Sequence, residues 1–243
     1  MKLRTVLFDA AGTLFTARVP VAATYAAIAQ RHGVEADERA VRAGFHRAFH
    51  GAPGLAFGPA LEPAELRRRE REWWRGVVRK SFDGLGTFDD FDAYFDELFA
   101  YFAEPEHWAA FAGIPELLAE LRGRGLTLAV VSNFDHRLYG ILEGLGLGRY
   151  FESVTISSEA GYAKPSPEIF RAAMRHLRTD PAVTIHIGDS EPLDAAGALA
   201  AGIAPVLIEH RPGAEVAMAA GVLRVSTPRE IGAAIAILER GAG

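Results

Sequence analysis

The chain of 243 residues contains no cysteine, and it is sparing with two other residue types that often carry chemistry. Without cysteine there is no disulfide, no thiolate nucleophile and no cysteine-based zinc site. Lysine occurs only at Lys2, Lys80 and Lys164, and asparagine only at Asn133. Because arginine supplies most of the positive charge, we expect the few lysines and the single asparagine to serve where arginine or aspartate cannot.

Long runs of one kind of residue are also missing. No apolar stretch reaches membrane-spanning length without glycine, proline or charge, and the N-terminal apolar run is interrupted by Asp9 and lacks the cleavage site of a signal peptide. The net charge of −5 is not gathered into a block that would bind nucleic acid, and the charged run 67–72 predicts a solvated helix face. We expect a cytoplasmic protein that binds neither membrane nor nucleic acid; the oligomeric state stays open.

The second half of the chain alternates between apolar strand patterns and helical patterns. After an N-terminal strand at 3–8, strands are predicted at 126–131, 153–157, 183–187 and 204–208. Helices are predicted at 114–123, 136–144, 167–177, 191–201 and 228–240. Nearly continuous apolar strands are covered on both faces, so the pattern predicts a doubly wound, Rossmann-like α/β fold with a parallel sheet.

The segment between the first two strands is different, since it contains no convincing strand pattern. Helical periodicity, broken by glycine and proline, predicts helices near 21–32, 37–50, 62–80 and 89–103. Aromatic residues supply a small core for these helices: Trp73, Trp74, Phe91, Tyr94, Phe95, Phe99 and Phe102. The sequence therefore predicts an α/β core at 1–16 and 111–243, with an inserted helical cap domain at 17–110.

His46 and His50 lie four residues apart on one of the helices predicted in this segment, which is the spacing of paired zinc ligands. No glutamate lies between them in the arrangement a zinc protease needs, and no third ligand is evident. We interpret the pair as an ordinary helix face.

Polar residues follow four of the predicted core strands. They are Asp9 with Gly12 and Thr13, then Ser132 with Asn133, then Lys164, and finally Asp189 with Asp194. Each has a structural explanation of its own, such as a turn or a helix cap. Because ligands bind at the carboxyl ends of parallel strands, their common placement favours a single site.

The chemistry of these residues is complementary. An aspartate can act as a nucleophile and form a covalent intermediate, while the Ser132 hydroxyl and a helix N-terminus can bind phosphoryl or carboxylate oxygens. Lys164 can neutralise a nucleophilic carboxylate together with an anionic substrate. Aspartates from two strand ends can hold Mg²⁺.

In this order the motifs resemble those of the haloacid dehalogenase-like (HAD) superfamily, in the subgroup with a helical cap between the first and second motifs. The resemblance implies catalytic roles for Asp9 as nucleophile and for Thr13, Ser132 and Lys164. It implies a substrate surrounded by Gly12, Ser132, Asn133 and Lys164. It implies Mg²⁺ held by Asp9, the backbone carbonyl of Ala11, Asp189 and Asp194, the last directly or through a neighbour. It also implies a cap that closes over the site.

Ala11 departs from the pattern, because most HAD phosphatases carry a second aspartate at this position. In similar phosphatases that aspartate protonates the leaving alcohol and then activates water, and such acid–base groups contribute about 10²–10⁴-fold. The sequence therefore predicts a magnesium-dependent hydrolase of a small phosphorylated metabolite, acting through an aspartyl intermediate at Asp9. Its usual acid–base group is absent or lies elsewhere.

Three alternatives stay open. A 2-haloacid dehalogenase also lacks the second aspartate and needs no magnesium, but it usually carries tyrosine at the positions of Ala11 and Phe170. An enzyme similar to phosphonoacetaldehyde hydrolase shares the Asp-x-Ala-Gly-Thr motif, and Lys80 would have to form its Schiff base. A non-catalytic relative would bind a phosphorylated ligand or a partner. Such a protein would not need the nucleophile and the metal-binding aspartates that this chain retains.

Overall fold

The computed structural model describes residues 2–58, 61–211, 217–219 and 221–241. The strands of this described part are β1 (Thr5–Phe8), β2 (Phe15–Ala17), β3 (Trp108–Ala110), β4 (Thr127–Ser132), β5 (Ser153–Ile156), β6 (Thr184–Gly188), β7 (Ala204–Ile208), β8 (Ala217–Ala219) and β9 (Val222–Val225). Its α-helices are α1 (Val21–Arg31), α2 (Glu38–Gly51), α3 (Pro63–Ser81), α4 (Phe91–Tyr101), α5 (Ile114–Gly123), α6 (Arg137–Gly144), α7 (Ser157–Ala160), α8 (Pro167–Leu177), α9 (Ala196–Ala200) and α10 (Ile231–Gly241).

Seven of the strands form one sheet in the order β5-β4-β1-β6-β7-β9-β8. Every neighbouring pair is parallel except β8 with β9. The chain leaves β1 for one side of the sheet and later returns to the other side, so the strand order reverses at β1. In open α/β sheets this reversal opens a crevice at the carboxyl ends of the strands, where ligands bind.

Helices cover both faces of the sheet. Because side chains alternate along a strand, Val6 and Phe8 of β1 face a large core with α5, α6 and α10, whereas Leu7 faces α8 and α9. All four residues of β1 are buried. This arrangement confirms the predicted α/β fold with a central, mostly parallel sheet.

The inserted helices α1–α4 have a separate hydrophobic cluster centred on Tyr94, Phe95 and Leu98, against which Trp74 also packs. Capping residues begin two of these helices: Asp37 accepts hydrogen bonds from two backbone N–H groups at the start of α2, and Asp90 accepts one at the start of α4. A proline opens α3, at a position where the missing N–H costs nothing.

The antiparallel pair β2–β3 joins this helical insertion to the core. The sequence did not predict this pair, nor β8, β9 and α7. The proposed domain boundaries, at 16/17 and 110/111, fall within or at the end of β2 and β3 and stay a prediction. Where the chain is described, no helix combines the length and hydrophobicity needed to cross a membrane.

One expectation about the insertion is wrong. The charged run 67–72 lies on α3 as predicted, but it is not a solvated face throughout, because Glu70 is completely buried. The contacts that make this possible come from the α/β core and are described below. His46 and His50, by contrast, lie exposed on α2 with their rings 4.2 Å apart.

Candidate active site

The first motif forms a tight turn at the end of β1. The Asp9 N–H donates to the Ile187 carbonyl of β6 at 2.8 Å, so the ladder between β1 and β6 continues to the aspartate itself. The N–H groups of Thr13 and Leu14 then both donate to the Ala10 carbonyl. Gly12 takes the left-handed conformation within this turn, with φ at +90°. The turn holds the Asp9 side chain at the carboxyl edge of the sheet.

Lys164 bridges two of the predicted carboxylates. Its Nζ lies 2.7 Å from Oδ1 of Asp9 and 2.6 Å from Oδ1 of Asp194. All three side chains are buried. Burial alone would lower the pKa of the Lys164 ammonium, but the two carboxylates outweigh that effect and raise its pKa above the ordinary value. Lys164 is therefore a buried cation at any physiological pH.

Asp194 has further partners. Its Oδ1 also lies 2.9 Å from Nε2 of His186, and its Oδ2 accepts the Ser190 N–H at 3.0 Å. Burial would raise the pKa of Asp194, yet Lys164 and His186 hold it well below its usual value. His186 must then donate through Nε2, and its Nδ1 has no partner among the described residues. This histidine, in the middle of an apolar strand, was not among the predicted site residues.

Asp189 lies at the open side of the same cluster. Desolvation and the nearby carboxylates of Asp9 and Asp194 together raise its pKa to about 6, although the Thr13 hydroxyl and Lys164 lower it. That hydroxyl donates to Oδ1 of Asp189 at 3.0 Å. A Cβ on Gly12 would lie only 2.5 Å from Oδ2 of Asp189, so the turn must be glycine for this approach.

The carboxylate cluster fits a magnesium ion. Asp9, Asp189 and Asp194 each offer one oxygen, and these oxygens lie within 4.8 Å of one another. Hard oxygen donors suit Mg²⁺. Three carboxylates face a single ammonium, and the negative charge of Asp9 and Asp194 adds to desolvation in raising the pKa of Asp189. Since both oxygens of Asp194 already accept hydrogen bonds, Asp9 and Asp189 are the freer donors.

The second motif reaches the same site from β4. Ser132 is buried at the end of this strand. The Asn133 side chain forms two hydrogen bonds with the backbone of Lys164: its Oδ1 accepts the N–H at 2.7 Å and its Nδ2 donates to the carbonyl at 3.0 Å. An aspartate could not form both bonds. The single asparagine of the chain thus holds the lysine peptide in place.

A cleft of about 410 Å³ brings the predicted residues together. Its lining includes Asp9, Ala11, Gly12, Ser132, Asn133, Lys164, Asp189 and Asp194. Thr13 lies behind it, on Asp189. Five aromatic residues contribute to the remaining wall and were not predicted as part of the site: Phe45, Phe49 and Trp74 from the insertion, Trp108 from β3, and Phe134.

The family model of the haloacid dehalogenase-like hydrolases matches residues 3–202. The chain belongs to this family. It is 36% identical over 214 residues to human haloacid dehalogenase-like hydrolase domain-containing protein 3, covering 86% of this chain and 82% of that protein. It is 35% identical over 133 residues to the phosphoserine phosphatase of Thermus thermophilus, covering 54% and 53%.

Solved structures agree with the fold. A magnesium-bound HAD hydrolase of Bacillus subtilis superposes with a TM-score of 0.68 at 18% identity, covering 97% of this chain and 99% of that one. The predicted resemblance and the assignment as a hydrolase are confirmed at the level of the family.

In this HAD-like hydrolase, buried polar contacts fasten the helical insertion to the core. Glu70 of α3 accepts a hydrogen bond from the Ser158 hydroxyl at 2.6 Å and lies 2.5 Å from Nδ1 of His136. Burial would raise the pKa of Glu70, but these two contacts bring it below the ordinary value. A further bond joins the Ser157 hydroxyl to the Leu55 carbonyl at 2.6 Å.

A second buried cluster follows the second motif directly. Asp135 and Arg137 form a bidentate pair, with Nη2 of Arg137 at 2.6 Å from Oδ2 and Nε at 2.9 Å from Oδ1. The Trp74 indole of α3 donates to the same carboxylate at 2.5 Å. The guanidinium lies 3.9 Å from the ring centre of Phe99 on α4. Two helices of the insertion therefore contact the segment that directly follows Ser132.

Proposed function

We propose that this protein is a magnesium-dependent phosphatase that hydrolyses a small phosphorylated molecule through an aspartyl-phosphate at Asp9. The observation that carries the proposal is the pairing of Asp9 with Lys164 inside a cleft that also holds Asp189 and Asp194. A nucleophilic carboxylate, a buried ammonium and additional carboxylates suited to Mg²⁺ are the parts that phosphoryl transfer requires.

The position of each side chain in the cleft determines its role in the reaction. The Asp9 carboxylate attacks phosphorus while the Lys164 ammonium, 2.7 Å away, neutralises the charge of the phosphoryl oxygens that arrive beside it. The Ser132 hydroxyl at the end of β4 is placed to donate to one of those oxygens. Asn133 keeps Lys164 in position through its backbone. Water then attacks phosphorus, which releases phosphate and restores the carboxylate.

Magnesium, held by Asp9, Asp189 and the backbone carbonyl of Ala11, would stabilise the negative charge that the transferring phosphoryl group carries. Asp194 supports this site indirectly, because Lys164, His186 and the Ser190 N–H occupy its oxygens. The magnesium-bound Bacillus subtilis structure of the same fold agrees with this choice of metal.

The two other candidate activities, those of a 2-haloacid dehalogenase and of a phosphonoacetaldehyde hydrolase, have less support. Phe170, the position where dehalogenases usually carry tyrosine, is fully buried under the sheet with its ring 4.9 Å from that of His186. Lys80, the lysine that a Schiff base would need, lies exposed in the last turn of α3. Within the described lining of the cleft, the one lysine is Lys164.

The decisive experiment measures phosphate release from acetyl phosphate and phenyl phosphate, with Mg²⁺ and with chelator, by the wild type and by Asp9→Asn. We expect turnover that needs Mg²⁺ and is lost in the variant, and a phosphoenzyme that mass spectrometry of quenched wild-type enzyme detects. Halide release from 2-haloacids without magnesium would replace the proposal with a dehalogenase. Binding of phosphate esters without any turnover would indicate a non-catalytic relative.

A further inference from the structure

An apolar chamber lies beside the catalytic cleft, between the helical insertion and the core. Its volume is about 80 Å³. The lining is hydrophobic apart from one charged residue, and consists of Val21, Tyr25, Phe45, Trp74, Val78, Phe95, Leu98, Phe99, Phe102, Trp108, Phe134 and Arg137. The mechanism above makes no use of this space.

The polar groups in the lining are already engaged. Arg137 is paired with Asp135, and the indole N–H groups of Trp74 and Trp108 donate to Asp135 and to the Phe102 carbonyl. The remaining polar group of the lining is the hydroxyl of Tyr25. Burial raises its pKa far above the ordinary value, so it stays neutral. The chamber therefore offers no unpaired charge to the ammonium and carboxylate of a ligand such as phosphoserine.

The chamber and the cleft share a wall. Val21, Phe45, Trp74, Trp108 and Phe134 line both spaces. The two spaces therefore adjoin each other along these five side chains. Since this wall is aromatic on the cleft side as well, it presents apolar surface to whatever is attached to the phosphoryl group.

Ala11 adds an independent constraint on that attached group. It lines the cleft but carries no acid that could protonate a departing oxygen. Alkoxides of ordinary alcohols leave poorly without a proton, whereas a phenol ionises near pH 10, much more readily than an alkyl alcohol. A leaving group that departs as a phenolate needs no proton donor at this position.

We propose that the substrates are aryl phosphate monoesters whose ring packs on the shared wall and carries a small alkyl substituent into the chamber. This inference rests on the proposed phosphatase function. The Asp9 oxygen forms a bond to phosphorus as the bond between phosphorus and the phenolic oxygen breaks, and the electron pair leaves with the phenolate. Water then attacks the phosphorus of the aspartyl-phosphate, the Asp9 carboxylate departs, and the proton of the water passes to the released phosphate or to solvent.

The volume of the chamber limits the substituent. A dry apolar cavity of about 150 Å³ holds a benzene molecule. A chamber of about half that size suits a methyl or isopropyl group rather than a second ring. Each buried methylene-sized group contributes about 0.8 kcal/mol, which corresponds to a factor of roughly four.

The test compares phenyl phosphate with its methyl- and isopropyl-substituted forms, at both the 3- and the 4-position, in the presence of Mg²⁺. Alkyl substituents scarcely change the acidity of the phenol, so differences in kcat/KM report burial rather than leaving-group chemistry. We expect kcat/KM to rise about fourfold per buried carbon at one of the two positions. O-phosphoserine should be a poorer substrate than phenyl phosphate.

Two substitutions at Val78, which lines the chamber but not the cleft, make the test specific. Val78→Phe should abolish the gain from alkyl groups, and Val78→Ala should extend it to larger ones, while both keep the wild-type rate with acetyl phosphate. Acetyl phosphate turnover also shows that a variant is folded. If acetyl and phenyl phosphate react but alkyl groups bring no gain, the chamber proposal is wrong. If neither reacts, the phosphatase proposal itself has failed.

Discussion

The ammonium nitrogen of Lys164 lies 2.7 Å from Oδ1 of Asp9, and both side chains are shielded from water. The same nitrogen contacts Asp194 at 2.6 Å. Lys164 is thus the counter-charge of two buried carboxylates that lie in segments following different strands of the sheet, β1 and β6. A buried charge that loses its partner costs far more than a surface pair contributes.

Lys164→Met should therefore destabilise the protein as well as inactivate it. Asp9 and Asp194 would be left uncompensated, and removal of one member of a buried pair costs about 3–5 kcal/mol. Chemical unfolding at neutral pH measures this loss. Lys80→Met is the matched control: Lys80 is exposed, so its replacement should change stability by no more than about 0.5 kcal/mol. Equal losses in the two variants would contradict the buried pairing.

Gly12→Ala should lower the catalytic activity much more than the stability of the protein. A Cβ at this position would lie 2.5 Å from Oδ2 of Asp189, and the backbone has a positive φ. The Asp189 side chain can swing aside, so the stability cost is mainly the backbone strain of about 1–2 kcal/mol. Displacement of Asp189 by roughly 1 Å should nevertheless lower kcat/KM about 100-fold.

Gly33→Ala is the control for this strain. Gly33 also has a positive φ, of +79°, but a Cβ there meets nothing within 4 Å. It should lose the same stability in thermal or chemical unfolding and keep wild-type activity. An active Gly12→Ala enzyme would show that Asp189 need not lie against the turn.

The sequence could predict the catalytic edge of the sheet because Asp9, Ser132 and Asp189 end or directly follow an apolar run, and Lys164 follows β5 after the short helix α7. Asp9, Lys164 and Asp189 are local signals: the strand pattern gives the position and the residue type gives the chemistry. The topology then brings them together, since the carboxyl ends of parallel strands share one edge.

Other parts of the site depend on contacts that no local pattern encodes. Glu70 reads as one more charge on a polar helix, and its burial comes from His136 and Ser158, 66 and 88 positions away in the sequence. The helical periodicity predicts that Trp74 faces inward, but it does not indicate whether the indole packs in a core or lines a cavity. The sequence did contain a signal for His186, because a histidine within an otherwise apolar strand indicates a buried polar contact.

Glu70→Ala should loosen the contact between the helical insertion and the core. The Ser158 hydroxyl and His136 would lose a buried charged acceptor, and a hydrogen bond to a charged group contributes about 1.5–3 kcal/mol. We expect a loss of about 2–3 kcal/mol of unfolding free energy. Glu72→Ala, at an exposed position of the same helix, should cost at most about 0.5 kcal/mol.

The contribution of Glu70 should also depend on pH. Desolvation would raise the pKa of its carboxyl, but the contacts with His136 and Ser158 bring the pKa below its ordinary 4.5. A carboxyl with a lowered pKa in the folded state stabilises the protein above its unfolded pKa and loses that effect as the pH falls through the folded value. The stability gap between wild type and Glu70→Gln should therefore narrow below about pH 4.5. A gap that widens in acid would contradict a lowered pKa.

Ala11→Asp should convert the site towards ordinary phosphatase chemistry. The half-buried Ala11 lines the cleft, so a carboxyl here can reach the leaving oxygen and the attacking water. General acid–base catalysis contributes about 10²–10⁴-fold. For glycerol phosphate, whose alkoxide needs a proton, kcat/KM should rise by about 100-fold or more. For phenyl phosphate the gain should be smaller, because the phenolate already leaves unaided and only the attack of water benefits.

Ala11→Asn is the matched control, because it adds the same bulk without an acid and should give neither gain. If Ala11→Asp is no better than Ala11→Asn on glycerol phosphate, position 11 does not face the leaving group.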